Sequence, residues 1–164
     1  VRYGNVMGSN GSVMPFFKSI KGNTLPITDF RMTRFNISLE DGVEMIFFAI
    51  LNSQGGEVFV PKIPSYRITD VAKAINPDSE LIEVGIRPGE KLHEEMITET
   101  DSLNTYDIGR YYAILPHEKI FNLDNFIRVH DAVKVREGFS YNSGSNDNWE
   151  TIESLKNKIE KHVN

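Results

Sequence analysis

The sequence predicts an α/β fold, and three observations predict it. Strand-like and helix-like stretches alternate from Val1 to about residue 98. One stretch, Leu39–Leu51, repeats apolar residues at helical spacing. Short β-rich runs elsewhere are closed by glycine or proline.

The elements follow in order. Val1–Val6 reads as a strand. It meets Gly4, Gly8 and Gly11 and gives way to a helix over Ser12–Lys21, where Pro15 fits the first turn. Leu25–Thr28 and Phe35–Ile37 are short strands. In Leu39–Leu51, Ser38 can cap and Asp41 sits at the third helical position, while Leu39, Val43, Ile46, Phe47 and Ile50 form the stripe expected to be buried. Gly55-Gly56 ends that unit, Glu57–Val60 is a strand, and Pro61 is expected to stop it. A helix near Thr69–Ile75 carries Ile68, Val71, Ala72 and Ile75 at helical spacing. Leu81–Ile86 is a strand running into Arg87-Pro88-Gly89-Glu90, and a short helix is expected from Lys91. Tyr111–Leu115 is a further strand, residues 142–148 have loop composition, and a last helix over Thr151–Val163 places Ile152, Leu155, Ile159 and Val163 on one side.

Size and charge exclude several classes. A chain of 164 residues, 40% hydrophobic and 25% charged, is long enough to bury a sizeable core. No apolar run approaches the roughly 20 residues needed to span a bilayer, so no membrane partner is expected. With no cysteine, disulfides and thiolate metal sites are excluded, which fits a cytoplasmic protein. The net charge of −5 argues against a nucleic-acid partner, yet it leaves room for a small anion held by two or three arginines. His93, His117, His130 and His162 show no metal-ligand spacing, so no metal site is expected.

The glycine-rich opening raises the question of a dinucleotide loop. Strand, glycines and helix occur in that order, and Asp29 follows about 20 residues on, where a ribose-binding acid would stand. The spacing, however, is GxxxGxxG rather than GxGxxG or GxxGxxG, which leaves a tight turn or a ligand-facing loop as alternatives.

Four consecutive stretches carry a family resemblance: "VRYGNVMGSNGSVMPFF", "LPITDFRMTRFNISLEDGV", "GGEVFVPKIPSYRITDVAKAI" and "IRPGEKLHEEMI". In order and spacing they resemble the C-terminal part of the inverting UDP-N-acetylglucosamine 4,6-dehydratases. These are extended short-chain dehydrogenase/reductases of pseudaminic acid synthesis. The resemblance covers nearly the whole chain, including the tail "FSYNSGSNDNW". It implies the end of an NAD(P)-binding Rossmann domain followed by the small C-terminal substrate-binding lobe over residues 1–98, and a C-terminal extension with a final helix over 99–164. It also implies that the opening glycines form a substrate-side loop, with the dinucleotide loop upstream.

The family reaction oxidises C4 of the sugar with NADP (or NAD), eliminates water across C5 and C6 and returns the hydride to C6. No Tyr stands four residues before a Lys and no GxxGxxG occurs in this chain. The resemblance therefore implies no catalytic residue here, a cofactor site largely outside the chain, and no dehydratase activity from the chain alone. It implies a UDP-sugar ligand and a homo-oligomeric parent. A Rossmann sheet lacking strands would also expose apolar surface and favour self-association. The alternatives are a portion of another nucleotide-sugar epimerase or dehydratase, and a non-catalytic nucleotide-sugar-binding or subunit-docking fragment.

A diphosphate calls for planar, permanently charged donors. By resemblance Arg34 contacts the pyrophosphate, Arg87 holds phosphate and Glu90 accepts from the ribose hydroxyls. Their sequence-only alternatives are a solvent-facing arginine and a surface ion pair. Asn5 can both donate and accept, and the family places an asparagine there against the substrate. Ser9 and Ser12 are loop hydroxyls that reach the ligand or cap the next helix. Leu25, Pro26 and Ile27 form either an edge for uracil or plain core. Where the family commonly reads "GSRGS", Asn10 replaces the arginine.

Overall fold

The computed structural model describes residues 1–9, 11–117 and 121–163; Asn10, the one departure from the family pattern noted above, lies outside them. The elements are β1 (Asn5–Val6), α1 (Val13–Ser19), β2 (Thr24–Ile27), β3 (Thr33–Ile37), α2 (Leu39–Asn52), β4 (Val58–Pro61), β5 (Ser65–Arg67), α3 (Ile68–Ile75), β6 (Glu80–Glu83), β7 (Glu95–Ile97), β8 (Thr105–Asp107), β9 (Tyr111–Ile114), α4 (Leu123–His130), β10 (Val133–Lys134), β11 (Tyr141–Asn142) and α5 (Ile152–His162), with a 3₁₀ turn at Asp101–Asn104.

The chain folds as α/β, in two compact units built from interleaved segments. One comprises Val1–Tyr3, Glu40–Lys62 and Glu95–Asn142; the other Gly4–Leu39, Ile63–Glu94 and Ser143–Asn164. Each unit draws on segments from both sides of residues 98 and 99: Glu95–Asn142 falls in the first and Ser143–Asn164 in the second. The chain from Ser143 onward returns to the second unit because Leu155, Ile159 and Val163 bury in the same core as Met14, Phe17, Val71 and Ala72.

In the first unit, β10, β8, β9 and β4 form an antiparallel sheet, and β11 pairs with β7. Its core holds Met45, Phe59, Tyr106, Tyr111, Ala113 and Phe126, with Phe48 edge-on to Phe59 at 5.4 Å. Helix α2 forms where expected but turns the other way. Gly42 and Met45 are buried and Phe48 and Ala49 pack against the core, whereas Leu39, Val43, Ile46, Phe47 and Ile50 are exposed. The helix is apolar on both sides, so periodicity could not choose its inner face. The small Gly42 and the ring pair of Phe48 with Tyr111 at 4.5 Å accompany the face that packs.

In the second unit, β3 lies between β1, which runs parallel to it, and antiparallel β5; β2 and β6 form a separate parallel pair. α3 packs on α5 and α1. α5 is closed by a capping box between Thr151 and Ser154, and the buried Glu150 carboxylate takes Ser154 Oγ at 2.6 Å and Lys158 Nζ. Pro61 ends β4, as its last residue, paired with Tyr111. Two local expectations are corrected. Only Asn5–Val6 of the opening run is a strand. No helix follows Lys91, because Leu92 O accepts from Thr33 N at 3.1 Å and Glu94 is hydrogen-bonded to Ser143 through both its N–H and its carbonyl.

Candidate functional site

A cavity of about 560 Å³ opens within the second unit. Asn5, Ser9, Ser12, Pro26, Arg34, Arg87 and Glu90 all line it, so seven residues scattered over 86 positions share one wall system. Leu25 and Ile27 do not. In β2 they face the core, with 1% and 0% of their surface exposed, while Pro26 between them faces the cavity, as the two-residue period of a strand requires. The idea of a three-residue edge for a base thus reduces to Pro26.

The opening loop reaches the cavity through two left-handed glycines, Gly8 at φ +72° and Gly11 at φ +79°. A Cβ on Gly8 would lie 2.6 Å from the carbonyl oxygen of His162, so this close approach serves the end of α5. A pyrophosphate cradle of the dinucleotide type needs that backbone free, so the loop does not fit a nicotinamide dinucleotide. Asp29 does not await a ribose either. Its carboxylate accepts from Arg31 N, Nε and Nη2 at 2.8, 2.9 and 2.7 Å, and the Arg31 guanidinium bonds and backbone bond hold it down at about 2 against burial. Ser12 heads α1 without capping it. Among the described residues its buried Oγ has no hydrogen-bond partner and faces the cavity region, where a ligand acceptor or donor could satisfy it.

Arg34 is built into the wall with 12% of its side chain exposed. Nη1 donates to Thr33 O at 2.7 Å and Leu92 O at 3.1 Å. Its other nitrogens face Glu90 at 3.7 Å and Glu94 at 3.9 Å, charge contacts too long for good hydrogen bonds. Burial pushes the Glu94 carboxyl up, opposed by the Phe35 amide it accepts at 2.8 Å and by Arg34. Arg87, by contrast, is exposed. It sits on the turn closed by Glu90 N to Arg87 O at 3.0 Å, with Gly89 at φ +82°.

Tyr66, missed in the sequence, also lines the cavity, opposite Arg34 across the β3–β5 pair. A three-residue strand offers no readable alternation, and that hid it. Burial pushes its phenol up to about 12; the Asn5 side-chain hydrogen bond opposes this, Glu94 adds to it and Arg34 opposes it. The folded state thus keeps a proton that an unfolded tyrosine releases near pH 10. Its contribution is complete below pH 10 and lost as pH rises to about 12. Tyr66→Phe is expected to flatten the fall in thermal stability across that range, measured by calorimetry; an unchanged slope would contradict the assignment. Phe16, Thr28 and Met32 also line the cavity. Phe16 is half exposed, a pattern that helix spacing alone does not reveal. Among the described residues no cluster of His, Asp or Glu is arranged to hold a metal, and no helix is long and apolar enough to cross a membrane.

The family model described as "Polysaccharide biosynthesis protein" matches residues 1–116. A UDP-N-acetylglucosamine 4,6-dehydratase (inverting) from Campylobacter jejuni serotype O:2 is 49% identical over 161 residues, 94% of this chain and 48% of its own length. A UDP-glucose 4-epimerase from Rickettsia akari is 34% identical over 94% of this chain and 47% of its own. Among solved structures, that of Pen from Bacillus thuringiensis superimposes with a TM-score of 0.78 at 28% identity, covering 96% of this chain and 48% of that one. The chain spans about half the length of the curated relatives it matches. With residues 1–116 matching the family model and both relatives aligning across nearly the whole sequence, this chain belongs to the polysaccharide biosynthesis protein family.

Proposed function

We propose that this chain is the nucleotide-sugar-binding portion of a UDP-N-acetylglucosamine 4,6-dehydratase of pseudaminic acid synthesis, and that the cavity of the second unit takes the UDP moiety. The observation that carries the reading is that Arg34 and Arg87, remote in sequence, line one cavity together with Glu90. Each guanidinium can place paired donors on phosphate oxygens, and Glu90 can accept from ribose hydroxyls. Asn5, fixed on one side by Tyr66, and the unpartnered Ser12 Oγ supply neutral groups along the same wall. Pro26 and Phe16 offer apolar surface for a base. A nicotinamide cofactor, NADP or NAD, would supply reversible hydride storage in the full-length protein. The glycine loop of this chain does not fit it, so no step is assigned to residues here.

The reading places the chain in a cytoplasmic, homo-oligomeric enzyme and makes the chain alone inactive. The full-length protein, given UDP-N-acetylglucosamine and NADP, is expected to form the 4-keto-6-deoxy product, and this chain none. A 4-keto product from this chain alone would overturn that part. A UDP-sugar epimer from the full-length protein would favour the second reading, an epimerase. The 49% identity to the dehydratase against 34% to the epimerase supports the first.

The exposed stripe Leu39, Val43, Ile46, Phe47 and Ile50 bears on assembly. A continuous apolar helix face in water favours association. The chain is expected to self-associate in sedimentation runs, and Phe47→Glu with Ile50→Glu to shift it towards monomer. A monomer at all concentrations in the unmodified chain would contradict this.

A further inference from the structure

The inference deepens the nucleotide-sugar reading, on which it rests, and concerns what holds Arg34 in place. Its Nη1 is gripped by the carbonyls of Thr33 and Leu92. The Thr33 side chain has a separate set of contacts. Its Oγ1 lies 2.7 Å from His93 Nδ1 and 2.7 Å from Ser143 Oγ. Ser143 arrives from the tail of the sequence and is fully buried. Its Oγ accepts from Glu94 N at 2.9 Å, and its N donates to Glu94 O at 2.8 Å. Gly144 makes room for this, since a Cβ there would meet the His93 ring at 2.7 Å.

Counting protons gives these bonds a direction. Ser143 Oγ receives the Glu94 N–H on one lone pair, and the arrangement that leaves no hydroxyl hydrogen of the group without an acceptor gives its own hydrogen to Thr33 Oγ1. The Thr33 hydrogen then goes to His93 Nδ1, in the tautomer that carries its proton on Nε2. Run the other way, the Ser143 hydrogen finds no acceptor in this chain of groups.

We propose that Thr33, His93 and Ser143 are positioning residues for Arg34. They lock β3 to segment 92–94, so that two carbonyls converge on Nη1 while Nη2 and Nε stay free of short bonds and can take phosphate oxygens. Glu90 at 3.7 Å and Glu94 at 3.9 Å orient these donors without consuming them. Arg87 stands on an exposed turn; its backbone N–H donates to Glu90 Oε2 at 3.4 Å, but its side chain makes none of the contacts that hold Arg34, so it serves as an internal control.

The test is equilibrium titration with UDP as probe. Thr33→Val is expected to weaken UDP binding about tenfold, and by the same factor again in an Arg87→Ala background, but less than about twofold in an Arg34→Lys background, where the positioned group is already lost. Ser143→Ala, which leaves Thr33 intact, carries the same expectations if Thr33→Val does not fold. His93→Asn, which keeps an acceptor near Nδ1, should bind UDP as the unmodified chain does, whereas His93→Leu should resemble Thr33→Val. Equal losses in the Arg34→Lys and Arg87→Ala backgrounds, or no loss at all, overturn the proposal. If UDP binding needs Arg34 and Arg87 but not Thr33 or Ser143, only this inference falls. If UDP does not bind the unmodified chain, the nucleotide-sugar reading falls and takes the inference with it.

Discussion

Arg87→Ala is expected to weaken UDP binding by about ten- to a hundredfold, the loss of one or two charge-assisted hydrogen bonds to phosphate, while thermal unfolding stays within about 0.5 kcal/mol of the unmodified chain. Both halves of the expectation come from where the residue sits. Its side chain is exposed on a turn held by the backbone bond from Glu90 N to Arg87 O and by the left-handed Gly89, and removing the guanidinium disturbs neither. Arg34→Ala contrasts with it. The carbonyls of Thr33 and Leu92 would lose their donor and the half-buried Glu94 its neighbouring cation, so this variant should lose UDP binding and stability together. Titration calorimetry and thermal unfolding on the same samples check the pair. Equal affinity in Arg87→Ala would remove Arg87 from the site.

The second large effect concerns the opening loop. Gly8→Ala should destabilise the chain by about 2–4 kcal/mol, combining about 1–2 kcal/mol for a side chain in the left-handed region with a backbone clash that no rotamer relieves. The clash is with His162 O, 2.6 Å from the position of the new Cβ. Gly11→Ala is the control. Gly11 has the same kind of dihedral, φ +79°, but nothing lies within 4 Å of its would-be Cβ, so only the conformational part remains. Chemical denaturation of the two variants should separate them by about 1–2 kcal/mol. Equal destabilisation would mean that the loop is not pinned to the end of α5.

What the sequence revealed and what it hid divide along physical lines. Helices α3 and α5 were legible because one face is apolar and the other polar; Val71 and Ala72, and Leu155 and Ile159, are buried as their spacing implied. α2 was legible as a helix but not in its orientation, since Val43 and Ile46 compete with Met45 and Phe48 for the core and only packing chooses. Strands β5, β7, β10 and β11, of two or three residues, are shorter than any alternation can show and exist through their partners. Helix α4 was missed for another reason: at eight residues it shows barely two turns of spacing, and its cap, Asn122, stands between the apolar Phe121 and Leu123. Arg34, Arg87, Glu90 and Asn5 could be named because a family resemblance selected them; spacing alone left each with a surface alternative. Leu25 and Ile27 were misplaced because a resemblance to a stretch says nothing of which side of the strand each residue faces. Tyr66, Thr33 and Ser143 required coordinates, since their roles depend on chain segments that meet only in the fold.

Isothermal titration of this chain with UDP and, in parallel, with uridine tests the central claim most directly. The two ligands share base and ribose and differ in the diphosphate. The account predicts saturable UDP binding at least about tenfold tighter than uridine, a gap that closes when Arg34 and Arg87 are both replaced by alanine. UDP that binds no better than uridine, or a gap that survives loss of both guanidinium groups, would contradict it.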